Sequence, residues 1–181
     1  MKNEHAISKP SDTLRGQFAV WSELVKLRLT TMVLITTAMG FYLASANAFD
    51  WMMLLHALFG TGLLACGAAA LNQYLEKEFD AKMPRTANRP IPAGHIRPER
   101  ALLAGGAFAV IGLVYLAVQV NPITSVIGAV TLVSYIAVYT PLKRVTSLNT
   151  IVGASPGALA PLMGWTAAGG NEAVIAPEGW S

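Results

Sequence analysis

The sequence predicts an all-α integral membrane protein, a bundle of membrane-spanning helices, and three observations carry that reading. Of the 181 residues, 54% are hydrophobic and only 13% are charged, with a mean hydropathy of +0.48. Five windows close to the roughly 20 residues that a helix needs to cross a hydrocarbon core of about 30 Å contain no Lys, Arg, Asp or Glu. All of the Lys and Arg lies in segments that alternation of those windows places on one side. The composition excludes a disordered chain and argues against a water-soluble domain. A lone Cys66 leaves no intrachain disulfide and no thiolate metal cluster.

The windows run over residues 29–46, 53–71, 101–118, 123–139 and 151–168. In the fifth, Gly153, Pro156, Gly157, Pro161 and Gly164 interrupt the apolar run. Such breaks are tolerated at membrane depth where neighbouring helices or a cavity satisfy the freed backbone groups, so this span reads as a kinked, cavity-facing helix. Lys2, Lys9, Arg15, Lys26 and Arg28 precede the first window, six basic residues lie between the second and third, and Lys143 and Arg144 lie between the fourth and fifth. The intervening loops and the segment 169–181 carry none. By the positive-inside rule, residues 1–28 form a cytoplasmic N-terminal segment, the 72–100 region is cytoplasmic, and the tail 169–181 is extracytoplasmic. The pI near 9.2 therefore reports topology, and no nucleic-acid partner is expected. Residues 1–28 carry Glu4, Asp12 and Glu23 without an apolar core. They match neither a secretory signal nor a transit peptide, which points to the inner (plasma) membrane of a bacterium.

The segment with the most chemistry follows the second window: Asn72-Gln73-Tyr74-Leu75-Glu76-Lys77-Glu78-Phe79-Asp80. At about 100° per residue, Asn72, Glu76 and Asp80 fall in one narrow arc spread over about 12 Å, an oxygen-rich stripe from which Glu78 is excluded. Oxygen ligands without nitrogen or sulfur suit a hard ion such as Mg²⁺, which binds through one or two carboxylates plus substrate phosphates. A solvated acidic helix end is the competing reading. The loop that follows brings Lys82, Arg85 and Arg89 and three prolines, Pro84, Pro90 and Pro92. An anion bridging metal and guanidinium would satisfy both sets of charges, and a diphosphate is the natural candidate.

The run from Asn72 to Pro90 resembles the first aspartate-rich motif, NxxxDxxxD, of the UbiA superfamily of intramembrane prenyltransferases. Its continuation through Asp80, Lys82, Met83, Arg85, Thr86, Arg89 and Pro90 is similar to that of the protoheme IX farnesyltransferases, or heme O synthases, within it. A second block fits the same resemblance: Tyr139-Thr140-Pro141-Leu142-Lys143-Arg144, then Thr146-Ser147-Leu148-Asn149-Thr150, and then Gly153 to Thr166. Glu76 stands where the motif has Asp, keeping the ligand chemistry with one extra methylene. The resemblance implies a UbiA-type helical bundle of about nine spans with a second aspartate-rich motif. Five spans and one motif read as the N-terminal part of such a bundle.

The resemblance also implies an activity. Farnesyl diphosphate would bind with its headgroup at the cytoplasmic interface and its tail between helices, Mg²⁺ would sit on the diphosphate, and a vinyl group of heme B would take the farnesyl group to give heme O. Asn72, Glu76 and Asp80 are then the metal ligands. Lys82, Arg85, Arg89, Lys143 and Arg144 are candidates for the diphosphate, although as interfacial or positive-inside residues they need no such role. Asn149 is a weaker candidate, explained equally by a helix N-cap, and His95 is weaker still, a loop residue within reach of heme propionates. An oxidase-assembly or heme A synthase partner fits the same resemblance. His56, near the outer end of the second span, is a functional candidate only if it has a partner. Two other readings stay open: another UbiA-type polyprenyltransferase with an aromatic acceptor, and a non-catalytic membrane assembly or transport protein.

Overall fold

The computed structural model describes residues 14–45, 49–140 and 149–169. Its elements, in chain order, are α1 (Leu14–Leu24), α2 (Leu27–Ala44), α3 (Trp51–Asp80), α4 (Pro98–Gln119), α5 (Pro122–Val133), a π-helical continuation of α5 over Ser134–Tyr139, and α6 (Asn149–Gly169). Local sequence sets several of the starts. The Asp50 carboxylate accepts hydrogen bonds from the N–H groups of Met52 (2.9 Å) and Met53 (3.0 Å), capping α3. Asn121 Oδ1 caps α5 through Thr124 N–H at 2.8 Å. Pro98 and Pro122 stand in the first turns of α4 and α5, where a missing N–H costs nothing.

Among the described residues, α2, α3 and α4 are long and apolar enough to cross a membrane, and 122–137 is a shorter apolar helix. The 30 residues of α3 make a rod about 45 Å long, well beyond a hydrocarbon core of about 30 Å. Its last turns, from Asn72 on, therefore project past the apolar layer while remaining the same rigid helix. Large apolar side chains such as Met32, Leu55, Phe59, Leu103 and Val114 are exposed around the bundle, as a lipid-facing surface requires.

The helices associate through small residues, since burial against lipid supplies little hydrophobic drive. α2 packs on α6 and α3 on α4. A Cβ placed on Gly164 would collide with the Thr37 carbonyl of α2, and one on Gly40 with the Pro161 carbonyl of α6. Between α3 and α4, a Cβ on Gly67 would come within 2.7 Å of Ala109 N, and one on Gly112 within 2.8 Å of Leu64 N. In α6, which is helical from Asn149 to Gly169, the backbone of α2 thus approaches closely at Pro161 and Gly164.

α1 lies inside the stretch that the sequence reads simply as a segment ahead of the first span. Its Val20 and Leu24 are buried in a cluster with Ala70 of α3, Ile91 and Ile96 of the following loop, and Ala101 of α4. Eleven residues are too few to register as a span, and tertiary contacts hold the helix. Gln73 completes the docking: its Nε2 donates to the carbonyls of Glu23 (2.9 Å) and Leu24 (3.0 Å) at the end of α1.

Candidate active site

The last three turns of α3 present one polar face to the protein interior. Asn72, Glu76 and Asp80 are 1%, 2% and 3% exposed, whereas Glu78 faces outward. The i, i+4, i+8 spacing therefore does gather one buried stripe.

The loop that follows folds back on this stripe through its own turns. Thr86 Oγ1 donates to the Asp80 carbonyl at 3.0 Å, satisfying a group freed by the end of the helix. The Pro90 carbonyl accepts the N–H groups of both His95 (2.9 Å) and Ile96 (3.0 Å), and Gly94, at φ +73°, supplies the left-handed turn between them. This fold-back delivers Arg89 to the acidic face. Its Nη1 lies 2.6 Å from Asp80 Oδ2 and 3.6 Å from Glu76 Oε2, so two buried carboxylates share one guanidinium nitrogen.

Asn72 joins a second set of contacts. Its Oδ1 accepts a hydrogen bond from Lys26 Nζ at 3.0 Å, and its Nδ2 donates to Thr140 Oγ1 at 3.1 Å. The Thr140 hydroxyl donates in turn to the Tyr135 carbonyl at 2.9 Å, inside the π-helical turn. The Tyr135 carbonyl thus accepts both the backbone N–H and the hydroxyl of Thr140, five residues on. The expectation that Asn72 serves as a third metal ligand thus meets a competing partner, because its oxygen is engaged by an ammonium group.

A cavity of about 530 Å³ opens beside these residues. Its polar end is formed by Lys26, Asn72, Arg85 and Arg89. From there it follows α3 past Ala69, Ala68, Ala65 and Leu64 to Thr61, opposite Met32 and Val33 of α2, Leu132 of α5 and Met163 of α6. The 11 residues from Thr61 to Asn72 give it a length of about 16 Å along α3. Glu76 and Asp80 are not among the lining residues; Arg89, which holds both, is. One end of the cavity is cationic and hydrogen-bonding, and the rest is mostly apolar, with the hydroxyl-bearing Thr30, Thr61 and Thr131 among its lining residues.

The other residues singled out from the sequence fare differently. Arg85 is exposed and lines the cavity mouth. Lys82 is exposed, its ammonium 6.0 Å from the Phe79 ring centroid, and His95 is exposed on the loop; neither lines the cavity. Lys143 and Arg144, together with the tail 170–181, lie outside the described residues, as does the side chain of Asn149, the first residue of α6. His56 has a partner: its Nδ1 lies 2.7 Å from the hydroxyl of Tyr115 on α4. It precedes Glu76 by 20 residues of continuous helix, about 30 Å. Lys26, Gln73, Tyr135 and Thr140 are site residues that the sequence reading missed. Lys26 entered it only as one positive-inside charge, and Thr140 only as a motif letter.

The donor set suits a hard divalent cation. Glu76 and Asp80 offer carboxylate oxygens one helical turn apart, already gathered around a single cationic group. Among the described residues no group of three or more His, Cys, Asp or Glu converges.

Residues 33–179 match the family model described as the UbiA prenyltransferase family. The chain belongs to that family. It is 44% identical over 167 residues to a protoheme IX farnesyltransferase of Solibacter usitatus (strain Ellin6076), a match covering 87% of this chain and 56% of that protein. It is 45% identical over 152 residues to the mitochondrial protoheme IX farnesyltransferase of Homo sapiens, covering 84% of this chain and 34% of the relative. The chain thus spans between about a third and just over half the length of these relatives. A solved structure of digeranylgeranylglyceryl phosphate synthase in membranes shares the fold, with a TM-score of 0.74 at 17% identity over 82% of this chain and 52% of that one. The all-α membrane bundle read from composition and periodicity is the architecture of this family.

Proposed function

We propose that this chain forms the diphosphate-handling half of an intramembrane prenyltransferase that transfers a farnesyl group from farnesyl diphosphate to a vinyl group of heme B, giving heme O. The observation that carries the reading is Arg89, seated between two buried carboxylates and the cationic end of a cavity whose remainder is mostly apolar. An isoprenyl diphosphate has the same division, a charged head and a hydrocarbon tail. The names of the relatives in the preceding section support farnesyl as the group and heme B as the acceptor.

Glu76 and Asp80 would hold Mg²⁺, with Asn72 beside them, and the ion would supply charge neutralisation for the leaving group. Arg89 pairs with both carboxylates and also lines the cationic end of the cavity, where its guanidinium can bind diphosphate oxygens in the two-pronged manner suited to phosphates. Arg85 at the mouth adds a second guanidinium. These cations stabilise charge that grows on the leaving oxygen as the allylic C–O bond breaks, while the apolar walls keep water from the electron-poor carbon. The vinyl carbon of heme B forms the new C–C bond, and water supplies the hydroxyl of the product. The charged loop faces the cytoplasm of a bacterial inner membrane, by the distribution of Lys and Arg.

The test is conversion of heme B to heme O by membranes carrying the full open reading frame, supplied with farnesyl diphosphate and Mg²⁺. Product formed with heme B, and none with 4-hydroxybenzoate, supports the reading. Prenylated benzoate in its place would assign the chain to another UbiA-type reaction, and no product with either acceptor from well-inserted protein would favour an assembly or transport role.

A further inference from the structure

Lys26 occupies the two-residue break between α1 and α2, in the left-handed conformation at φ 49°, and is the one described residue other than glycine with positive φ. That conformation is usually glycine's, and a residue with a Cβ adopts it at a cost. The break is held on both sides. Gln73 secures the carbonyls of Glu23 and Leu24 before it, and the Lys26 carbonyl accepts the N–H groups of Leu29 (2.8 Å) and Thr30 (3.1 Å) after it. The result aims a lysine side chain inward while its neighbour Arg28 stays exposed. The Lys26 ammonium reaches Asn72 on the stripe-bearing helix and lines the cationic end of the cavity with Arg85 and Arg89. Unfavourable backbone geometry kept at a ligand-sized cavity marks a functional position.

We infer that Lys26 is a third cationic contact for the substrate diphosphate, approaching from the α1–α2 junction opposite the arginine loop. This rests on the prenyl diphosphate reading of the cavity and adds a residue to it. With Arg85 and Arg89 on the loop after α3 and Lys26 on the other flank, the headgroup is gripped from two sides of the cavity mouth. Asn72 holds the ammonium in place before substrate arrives, and its bond to Thr140 ties that position to the π-helical turn.

The experiment is binding of inorganic pyrophosphate, with Mg²⁺ present, to detergent-solubilised protein from the full open reading frame, comparing wild type with Lys26→Gly and Lys26→Arg. Glycine suits φ 49° better than lysine does, so Lys26→Gly keeps the backbone while removing the side chain with its charge, and Lys26→Arg restores the charge. We expect Lys26→Gly to weaken pyrophosphate at least about tenfold, the scale of a lost charge-assisted hydrogen bond, and Lys26→Arg to stay within a few-fold of wild type. In turnover assays the KM for the prenyl diphosphate rises while that for the acceptor does not. Unchanged pyrophosphate binding in Lys26→Gly, or wild type that binds no pyrophosphate, overturns the inference. A rise confined to the KM of a porphyrin acceptor also overturns it, and would assign Lys26 to a propionate. Should the pyrophosphate pattern hold while heme B is not prenylated, the acceptor assignment fails and the Lys26 contact stands.

Discussion

Two buried polar networks sit at opposite ends of the bundle, and they are built differently. At the end away from the basic loops, where α4 turns into α5, Asn121 Nδ2 donates to the Thr166 carbonyl of α6 at 2.9 Å, and the hydroxyls of Thr124 and Thr166 share a hydrogen bond of 2.8 Å. Every member is neutral and locked to its neighbour. At the basic end the buried groups are two carboxylates on one guanidinium nitrogen, beside an amide held by an ammonium and next to an open cavity. Burying carboxylates is expensive, and replacing a whole buried ion pair by apolar residues often leaves a protein as stable as before or more so. A neutral network joins helices at little cost, whereas a charged one beside a cavity is what a site for a polyanion requires.

The sharpest way to test that contrast is Asp80→Ala. Heme O formation is expected to fall by about 10²–10³-fold, while folded yield is kept because Arg89 still has the Glu76 carboxylate as a partner. Activity assays and size-exclusion profiles on the same preparations separate the two effects. Gly164→Val should do the reverse. The added side chain meets the backbone of α2 at Thr37 and Phe41, so a loss of about 1–3 kcal/mol or more is expected in thermal stability. Whatever protein remains folded should keep its KM for the prenyl diphosphate. Asn121→Ala strands the Thr124 N–H and the Thr166 carbonyl and is expected to cost about 1–2 kcal/mol in a melting experiment, with kcat unchanged. The smallest effect is expected from His56→Phe: one hydrogen bond, about 1 kcal/mol of stability, and no change in turnover, because the His56–Tyr115 pair lies a whole helix away from the stripe.

What the sequence made legible follows from periodicity and charge. A run of apolar residues long enough to cross a bilayer is unambiguous, and the spacing of Asn72, Glu76 and Asp80 on one helix is simple rotation. Both needed only local information. Arg89 was placed near the acidic stripe because loop and helix are contiguous in the chain. The residues that escaped notice act across the fold. Lys26 meets Asn72 at a separation of 46 positions and Thr140 meets it at a separation of 68, and no local pattern records such pairs. Lys26 was further obscured by lying among several membrane-facing cations, where its charge already had an explanation. The same limit applies to α1, whose Val20 and Leu24 find partners on α3, α4 and the loop between them. Gly164 and Pro161, read as interruptions, are the points where α6 meets α2, since a backbone contact leaves no hydropathy signal.

The central claim is that Glu76 and Asp80 form the ion-binding pair of the diphosphate site. The most direct measurement is the Mg²⁺ dependence of heme O formation in membranes carrying the full open reading frame, comparing wild type with Glu76→Asp, which restores the family's usual residue, and with Asp80→Asn, which removes the charge at nearly constant volume. Wild type is expected to show saturable Mg²⁺ dependence, Glu76→Asp a shifted but still saturable curve, and Asp80→Asn a loss of activity that no Mg²⁺ concentration restores. Identical Mg²⁺ curves for all three would contradict this assignment and place the ion elsewhere.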